Sequence, residues 1–238
     1  MKKQLFFIAI VILPLFAIAQ IYVPDDNFEQ ALIDLGYDSG SLDNYVPFSN
    51  ISGVTSLDIS SKGISDLTGI NGFPSLQTLY CNDNQLSTIN LSNNAQLRDL
   101  RLNDNNLLFI NLSNLTQLEV FSANNNQLSS LNVASNPALQ GLSVSQNNLT
   151  TLDTSSNPFL IQIVCDRNQL TSLTVDTFSD LRELYCYDNQ LTSLDVTTNF
   201  DLEILWCRSN QLTTLNTTGI TSLKTFVAYN NQLTAVDV

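Results

Sequence analysis

The apolar residues of this chain recur in a fixed frame of 21 positions that begins at Leu76 and continues almost to the last residue. In one repeat the inward set is Leu181, Leu184, Cys186, Leu191, Leu194 and Val196. The first half of the frame alternates apolar and polar residues at its end, which predicts a short strand. The second half is too short for a helix and is rich in Thr and Val, which predicts an extended or weakly stranded outer segment.

An asparagine occupies the same place in eight consecutive repeats, with no insertion or deletion between them. The column consists of Asn84, Asn105, Asn126, Asn147, Asn168, Asn189, Asn210 and Asn231. An inward Asn at a strand end can pair with backbone groups of adjacent turns that would otherwise be buried without partners. We therefore interpret the column as a folding device rather than as a catalytic or ligand-binding site.

The pattern L-x-x-L-x-L-x-x-N at this period is the signature of a leucine-rich repeat solenoid. One coil cannot bury its own apolar edge, so the coils must stack into a continuous core. The predicted fold is therefore a β-rich α/β solenoid. It is a right-handed coil with a parallel concave sheet and a small N-terminal helical cap.

Residues 1–19 have the features of a secretory signal peptide: a basic start, an apolar stretch from Leu5 to Phe16, and a small-residue cleavage site before Gln20. The alternative is an N-terminal membrane anchor, but the apolar run is shorter than the about 20 residues that span a bilayer. No later stretch has the length and hydrophobicity of a membrane span, so no insertion is expected after cleavage. The sequence predicts a secreted or cell-surface protein.

The non-repeating segment 20–53 is predicted to cap the solenoid, whose end coil would otherwise expose a hydrophobic cross-section. Asp25 has the position of a helix N-cap, an apolar stripe from Phe28 to Leu35 follows at helical spacing, and Gly36 is a helix stop. Residues 54–238 then contain one 22-residue coil, seven 21-residue coils and one partial coil.

The chain has 22 acidic and nine basic residues, a formal net charge of −13, and no histidine. Such an acidic protein is repelled by nucleic acid phosphates and by anionic membranes, so neither is an expected partner. Without an imidazole base, a nucleophile–base pair or a phosphate-binding glycine loop, the sequence does not indicate an enzyme. No cofactor or metal is expected either.

The four cysteines of an exported chain first suggest disulfides. Cys81, Cys165, Cys186 and Cys207 all occupy the sixth position of the repeat, which points into the core. Neighbouring strands would place the last three about 4.8 Å apart, but parallel side-chain vectors fit a disulfide dihedral poorly. We expect free, buried thiols that pack as small hydrophobic groups.

Side chains that alternate with the inward positions of each strand should form the concave surface. In the early coils these columns are rich in Asn and Ser, whereas the later coils carry larger residues. The candidate ligand-binding patch consists of Tyr185, Tyr187, Trp206, Arg208 and Tyr229, with Asp166 in the polar rim beside Arg167 and Glu183. Trp, Tyr and Arg are the residue types enriched at binding hot spots. The alternative is that aromatic residues simply suit exposed strand positions.

Two other surfaces have weaker functional interpretations. A hydroxyl row at Thr150, Thr171, Thr192, Thr213 and Thr234 could order water or bind ice, although Thr also suits exposed extended segments. The acidic turn residues Asp83, Asp104 and Asp188 could suggest Ca²⁺, but they lack the ligand-dense loop of calcium sites. A solvated face is the better interpretation of these acids.

The frame L-x-x-L-x-C-x-x-N-x-L-x-x-L-x-V-x-x-N, seen from Leu181 to Asn199, resembles bacterial secreted leucine-rich repeat proteins. They are the short-repeat, internalin-like surface proteins, and more closely those of Bacteroidetes-type bacteria. The resemblance extends from about Val54 to Val238, and Tyr22 to Gly36 is similar to the N-terminal cap of that family. It implies export and recognition of a protein or glycan, often in adhesion. The predicted function is thus a non-catalytic binding module, and the alternative is a structural or water-ordering solenoid.

Overall fold

The computed structural model of the chain describes residues 19–175, 177–234 and 236–237. The predicted signal peptide, residues 1–19, lies outside the described residues except for its last position. No helix within the described ranges combines the length and the apolar character that a membrane crossing requires.

The N-terminal cap contains β1 (Gln20–Tyr22), α1 (Asp26–Asp34), β2 (Tyr45–Pro47) and α2 (Phe48–Ile51). The helix α1 begins where the Asp25 carboxylate accepts hydrogen bonds from the backbone N–H groups of Asn27 and Phe28, both at 3.0 Å. It ends before Gly36, whose φ of +79° favours glycine. The predicted cap helix is confirmed, and an antiparallel pairing of β1 with β2 is added to it.

Within the described residues, nine short strands form one parallel sheet in which the strands of consecutive coils pair with one another. They are β3 (Ser56–Asp58), β4 (Thr78–Tyr80), β5 (Asp99–Arg101), β6 (Val120–Ser122), β7 (Gly141–Ser143), β8 (Gln162–Val164), β9 (Glu183–Tyr185), β10 (Ile204–Trp206) and β12 (Thr225–Val227). Paired residues are 22 positions apart between β3 and β4, as in Ser56 and Thr78, and 21 apart in the following pairs. The predicted parallel solenoid is confirmed.

The core lies behind this sheet, and each strand contributes its middle residue to it. Leu184 of β9 is fully buried, whereas its neighbours Glu183 and Tyr185 are half-buried on the opposite side. We call that opposite side, which carries the first and third residue of every strand, the concave face. Because inward and concave positions alternate, side chains on the concave face can differ between coils without changing the core.

The outer segments of the coils are mostly irregular, as expected from their length. The described exceptions are a short 3₁₀ helix (Ile70–Gly72) and the parallel pair β11 (Leu215–Asn216) and β13 (Val236–Asp237). The prediction of extended or weakly stranded outer segments is confirmed.

A left-handed backbone residue follows the strand in every coil. The column consists of Ser61, Asp83, Asp104, Asn125, Gln146, Arg167, Asp188, Ser209 and Asn230, with φ between +52° and +57°. Asp and Asn tolerate this conformation because their short polar side chains bond locally, whereas longer residues do so less well. The turn is therefore a place where the fold imposes the same conformation on favourable and unfavourable residue types.

Replacing Gln146 by Asn is expected to raise the free energy of unfolding by about 0.5–1 kcal/mol, because Asn lowers the cost of a positive φ. Gln146 is exposed, so the exchange changes little else. Urea unfolding followed by circular dichroism measures the effect. The matched control is Gln127→Asn, an exposed position in the preceding coil that is not left-handed. Equal changes in both variants would show that backbone strain at Gln146 is negligible.

Candidate binding surface on the concave face

The eight repeat asparagines form a continuous ladder at the ends of the strands. The Nδ2 of Asn147 donates to the carbonyl groups of Ala123 at 2.9 Å, Val144 at 3.2 Å and Ser145 at 3.1 Å. Its Oδ1 accepts from the Leu128 N–H at 2.9 Å. Ala123 and Leu128 belong to the preceding coil, so one side chain ties two coils together. All its hydrogen bonds go to backbone groups, which is the geometry of a folding device.

A second asparagine column, which ends the repeat frame but to which sequence reasoning gave no role, lies at the end of the outer segment. It consists of Asn94, Asn136, Asn157 and Asn199, all fully buried. The Nδ2 of Asn157, for example, donates to the carbonyl groups of Val133 at 3.0 Å and Asn136 at 2.8 Å. The signal was present at the same 21-residue spacing, but Phe or other apolar residues interrupt the column, as at Phe178. This column supports the coil turns and is not exposed to a ligand.

The cysteines are free and buried, which confirms the expectation of unpaired thiols. Burial raises the pKa of Cys207 to about 12 and that of Cys186 well above its usual range. A thiol that stays protonated and inaccessible is a poor nucleophile and a poor metal ligand. Among the described residues, no three His, Cys, Asp or Glu side chains are grouped closely enough to hold a metal ion.

On the early coils, the concave Asn and Ser side chains bond to one another along the sheet. Asn103 Oδ1 accepts from Ser122 Oγ at 2.6 Å and from the Asn124 N–H at 2.8 Å. Asn124 Oδ1 repeats the pattern with Ser143 Oγ at 2.9 Å and the Ser145 N–H at 2.7 Å. We call these side chains the polar row. Because its members satisfy each other, the row is a rigid surface rather than a set of free donors.

Three aromatic side chains of the predicted patch come together: Tyr185 on β9, Tyr187 just after β9, and Trp206 on β10. The ring of Trp206 lies 5.3 Å from that of Tyr185 in an edge-to-face arrangement, and 6.1 Å from that of Tyr187. Aromatic pairs at these separations are favourable beyond their buried area. The Trp206 Nε1–H is buried without a hydrogen-bond partner among the described residues. The indole is thus held by ring packing rather than by polar contacts.

Arg208 joins this cluster to the open side of the patch. Its guanidinium carbon lies 4.2 Å from the ring centre of Tyr187 and 5.7 Å from that of Tyr229. Its Nη1 also donates to Asp188 Oδ1 at 3.0 Å. Tyr229 is the most accessible member, with 59% of its surface exposed. The structure therefore brings Tyr185, Tyr187, Trp206, Arg208 and Tyr229 into one contiguous patch, which we call the C-terminal patch.

Asp166 lies beneath the C-terminal patch rather than at its rim, because only 2% of its surface is exposed. Its carboxylate accepts from Ser145 Oγ at 2.7 Å. Burial, together with the hydrogen bond to Asp166, raises the pKa of the Tyr187 phenol. Asp166 thus links the polar row to the patch and orients Tyr187.

A second arginine–tyrosine pair occupies the N-terminal part of the concave face. The Arg101 guanidinium lies 4.7 Å from the ring centre of Tyr80 and makes two hydrogen bonds of 3.0 Å to the Asp99 carboxylate. The Tyr80 hydroxyl donates to the same carboxylate at 2.9 Å. The sequence analysis did not predict this pair.

The threonines of the predicted outer row are all exposed. The acidic turn residues do not converge: Asp83 accepts from Ser61 Oγ at 2.9 Å, and Asp104 accepts from Asn125 Nδ2 at 2.7 Å. Each acid bonds locally instead, and all three occupy left-handed positions of the turn column.

Comparison with known proteins gives a consistent answer at the level of structure. No family model matches the chain, and no curated protein matches its sequence. Among solved structures, the functional domain of InlJ from Listeria monocytogenes is 30% identical and superposes with a TM-score of 0.77 over 92% of this chain. The chain has the leucine-rich repeat fold of the internalins.

The internalin-like solenoid spans about half of that InlJ domain, 54% of its length. Internalin C2 of the same species is 20% identical, has a TM-score of 0.74 and is covered over 94% of its length, against 91% of this chain. A leucine-rich repeat protein of Leptospira interrogans is 22% identical, with a TM-score of 0.63 over 80% of this chain and 58% of its own. At these identities the last two comparisons show the fold alone.

The InlJ domain is described as including a cysteine ladder. In this chain, Cys165, Cys186 and Cys207 directly follow the three neighbouring strands β8, β9 and β10. Internalin-like solenoids are typically protein-binding surface modules and are generally non-catalytic.

Proposed function

We propose that this chain is an exported, non-catalytic binding module that recognises a protein ligand through the C-terminal patch. The observation that supports this proposal is the packing of Trp206 against Tyr185 and Tyr187. The Arg208 guanidinium stacks on the ring of Tyr187. These are the residue types that dominate binding energies, and here their side chains are ordered before a ligand arrives. A pre-ordered site loses less conformational entropy on binding.

Export is supported by residues 1–19, which have the features of a signal peptide. A glycan is the second class of ligand for the same patch. Tyr229 and the open side of Arg208 supply the accessible surface, while Trp206 supplies a rigid centre. The water-ordering alternative rests on the exposed threonine row and predicts that the concave face is dispensable.

A pull-down from cell-surface extracts with residues 20–238 tests the proposal. Changing Tyr185, Tyr187, Trp206 and Tyr229 together to Ala is expected to abolish capture, because hot-spot truncations cost about 2–4 kcal/mol each. A second variant changes Thr150, Thr171, Thr192 and Thr213 to Ala and is expected to capture as the unmodified chain does. Circular dichroism confirms that both variants are folded.

Equal capture by the unmodified chain and the aromatic variant would refute the C-terminal patch. Loss of capture only in the threonine variant would move the site to the outer face. Thermal hysteresis in the purified chain, removed by the threonine changes alone, would establish the water-ordering alternative.

A further inference from the structure

The outer segments carry two columns of hydroxyl side chains, and a single coil interrupts both. The first column consists of Ser87, Ser129, Thr150, Thr171, Thr192, Thr213 and Thr234, and the second of Thr88, Ser130, Thr151, Ser172, Ser193 and Thr214. In the coil that begins at Leu97, the same two positions are Leu108 and Phe109, which are 56% and 59% exposed. Isolated apolar residues are common on protein surfaces, but an adjacent exposed pair in a polar column is not explained by core packing.

Phe109 forms one wall of a cavity between its own coil and the preceding coil. The cavity has a volume of about 320 Å³. The preceding coil contributes Thr88, Asn90 and Ser92 to its lining, and the coil of Phe109 contributes Asn111 and Ser113, all of them exposed. We call this cavity the outer groove. Its volume lies near the lower end of the range of about 300–1,000 Å³ for small-molecule sites, so it suits a compact ligand unit rather than a helix.

The outer groove differs in charge from the grooves between other coils. Among the described residues, none of those that line it is charged. The carboxylate groups of Asp66, Asp153 and Asp195 line the neighbouring grooves of the same face. A charged ligand would lose hydration in the outer groove without gaining an ionic partner, and such a loss is costly. The lining therefore favours a neutral ligand.

Two asparagine amides supply hydrogen-bond donors at the outer groove. Asn90 Oδ1 accepts from the Ser92 N–H at 3.1 Å, and Asn111 Oδ1 accepts from the Ser113 N–H at 3.0 Å. Because each amide oxygen is held by a backbone N–H group, the orientation of the amide is fixed. Within the described part of the chain, neither Nδ2 group donates to the protein. The two amides occupy the same position in adjacent coils, about 4.8 Å apart.

An aromatic ring beside two fixed amide donors matches a ligand that is apolar on one side and polar at its edge. A sugar ring has this character, because its faces carry C–H groups and its edge carries hydroxyl groups. An apolar side chain of a peptide would cover the Phe109 ring but would bury the amides of Asn90 and Asn111 without partners, which costs free energy. The combination therefore favours a sugar.

We propose that the outer groove binds a neutral sugar unit of a glycan. One face of the sugar ring stacks on Phe109, and its hydroxyl groups accept from the Nδ2 groups of Asn90 and Asn111. The serine and threonine hydroxyl groups of the lining can both donate and accept, so they add contacts around the edge of the ring. This site is separate from the C-terminal patch and does not depend on the proposed function.

Binding to a panel of immobilised oligosaccharides tests this inference. The panel presents terminal glucose, galactose, mannose or N-acetylglucosamine, and one sialylated oligosaccharide serves as the charged counterpart. Residues 20–238 are expected to retain at least one neutral oligosaccharide, with an affinity that does not change with NaCl concentration, because no ion pair is involved. Retention of none of the neutral oligosaccharides, or binding that weakens with salt, would overturn the inference.

The variant Phe109→Ser is expected to weaken binding of the retained oligosaccharide about tenfold or more, because it removes the stacking surface. The fold is expected to tolerate this change, since Ser130 occupies the same position in the next coil. The matched control is Phe159→Ser, because Phe159 is also 59% exposed but does not line the outer groove. Equal weakening by both variants would show a non-specific apolar contact and would contradict the site.

Two further variants separate a sugar from an apolar peptide. Phe109→Leu keeps an apolar side chain but removes the flat ring, and it is expected to bind about as weakly as Phe109→Ser. Asn111→Thr removes one Nδ2 donor, and Thr174 shows that the fold accepts this residue at the position. It is expected to weaken binding about threefold to tenfold, as for the loss of one hydrogen bond. Unchanged affinity in either variant would overturn the inference.

The variant with Tyr185, Tyr187, Trp206 and Tyr229 changed to Ala distinguishes this site from the C-terminal patch. It is expected to bind the oligosaccharide as the unmodified chain does. Loss of the oligosaccharide in this variant, with normal binding by Phe109→Ser, would place the sugar on the C-terminal patch and refute the outer groove. A failure of the protein pull-down, with the oligosaccharide still bound at Phe109, would refute the proposed function and leave the outer groove in place. Circular dichroism confirms that each variant is folded.

Discussion

Replacing Asn147 by Leu is expected to lower the free energy of unfolding by about 3 kcal/mol or more. The Leu128 N–H, which is buried and bonded to Asn147 Oδ1, then loses its partner. The Ala123 carbonyl group loses the 2.9 Å hydrogen bond that it accepts from Asn147 Nδ2. An orphaned buried donor costs more than the removed hydrogen bond contributed, so the loss exceeds that of a typical surface change.

Urea unfolding monitored by circular dichroism measures this loss. The matched control is Asn148→Leu, because Asn148 is exposed and adjacent in sequence. It is expected to change the free energy of unfolding by less than about 0.5 kcal/mol. Similar destabilisation of both variants would mean that the ladder contributes no more than an exposed turn residue.

Replacing Asp25 by Ala is expected to cost about 3 kcal/mol at neutral pH, because it removes both the helix cap and the contact of the cap with the first coil. Besides capping α1, the carboxylate accepts from the Ser65 N–H at 2.9 Å, the Ser65 hydroxyl at 2.8 Å and the Asp66 N–H at 3.0 Å. One side chain therefore holds together two parts of the fold that are 40 residues apart.

The contribution of Asp25 should also depend on pH. Burial alone would raise the pKa of this carboxyl group, but hydrogen bonds from Ser65, Phe28 and Asp66 outweigh burial and lower the pKa below 3.8. A lowered pKa in the folded state stabilises the fold above the unfolded value, about 3.9, and the stabilisation is lost as the pH falls through the folded value. The difference between Asp25→Ala and the unmodified chain should therefore shrink below about pH 4.

Urea midpoints measured at pH 7, 4 and 3 follow this difference. Asp26→Ala is the control, because Asp26 is an exposed acid in the first turn of the same helix. A difference between Asp25→Ala and the unmodified chain that stays constant over this range would contradict the assigned role of the charge.

The repeat period predicted the parallel sheet and the inward positions, because each coil packs in the same way. The cap helix was predicted from signals of its own: the N-cap residue Asp25, the apolar stripe that follows it, and Gly36. The same reasoning grouped Tyr185 with Trp206, since residues 21 apart pair in neighbouring strands. The left-handed turn column carried no such signal. Its residues include Gln146 and Arg167, whose types do not indicate a positive φ.

The burial of Asp166 also could not be obtained from the pattern. Whether a concave side chain is exposed depends on how far its neighbours reach across the strands, as Tyr187 reaches Asp166. The antiparallel contact of β1 with β2 likewise depends on where the cap lies, not on a local periodicity.

The asparagine ladder makes each coil depend on the coil that follows it in the sequence. Asn147 completes the backbone bonds of Ala123 and Leu128, which were synthesised before it, and the same holds for every rung. The backbone N–H and C=O groups that one asparagine pairs in the preceding coil therefore lack these partners until the asparagine's own coil is in place. Wherever folding begins, a stack that ends after any coil of the ladder leaves these backbone groups of its last coil unpaired, so each coil is completed by the one that follows it.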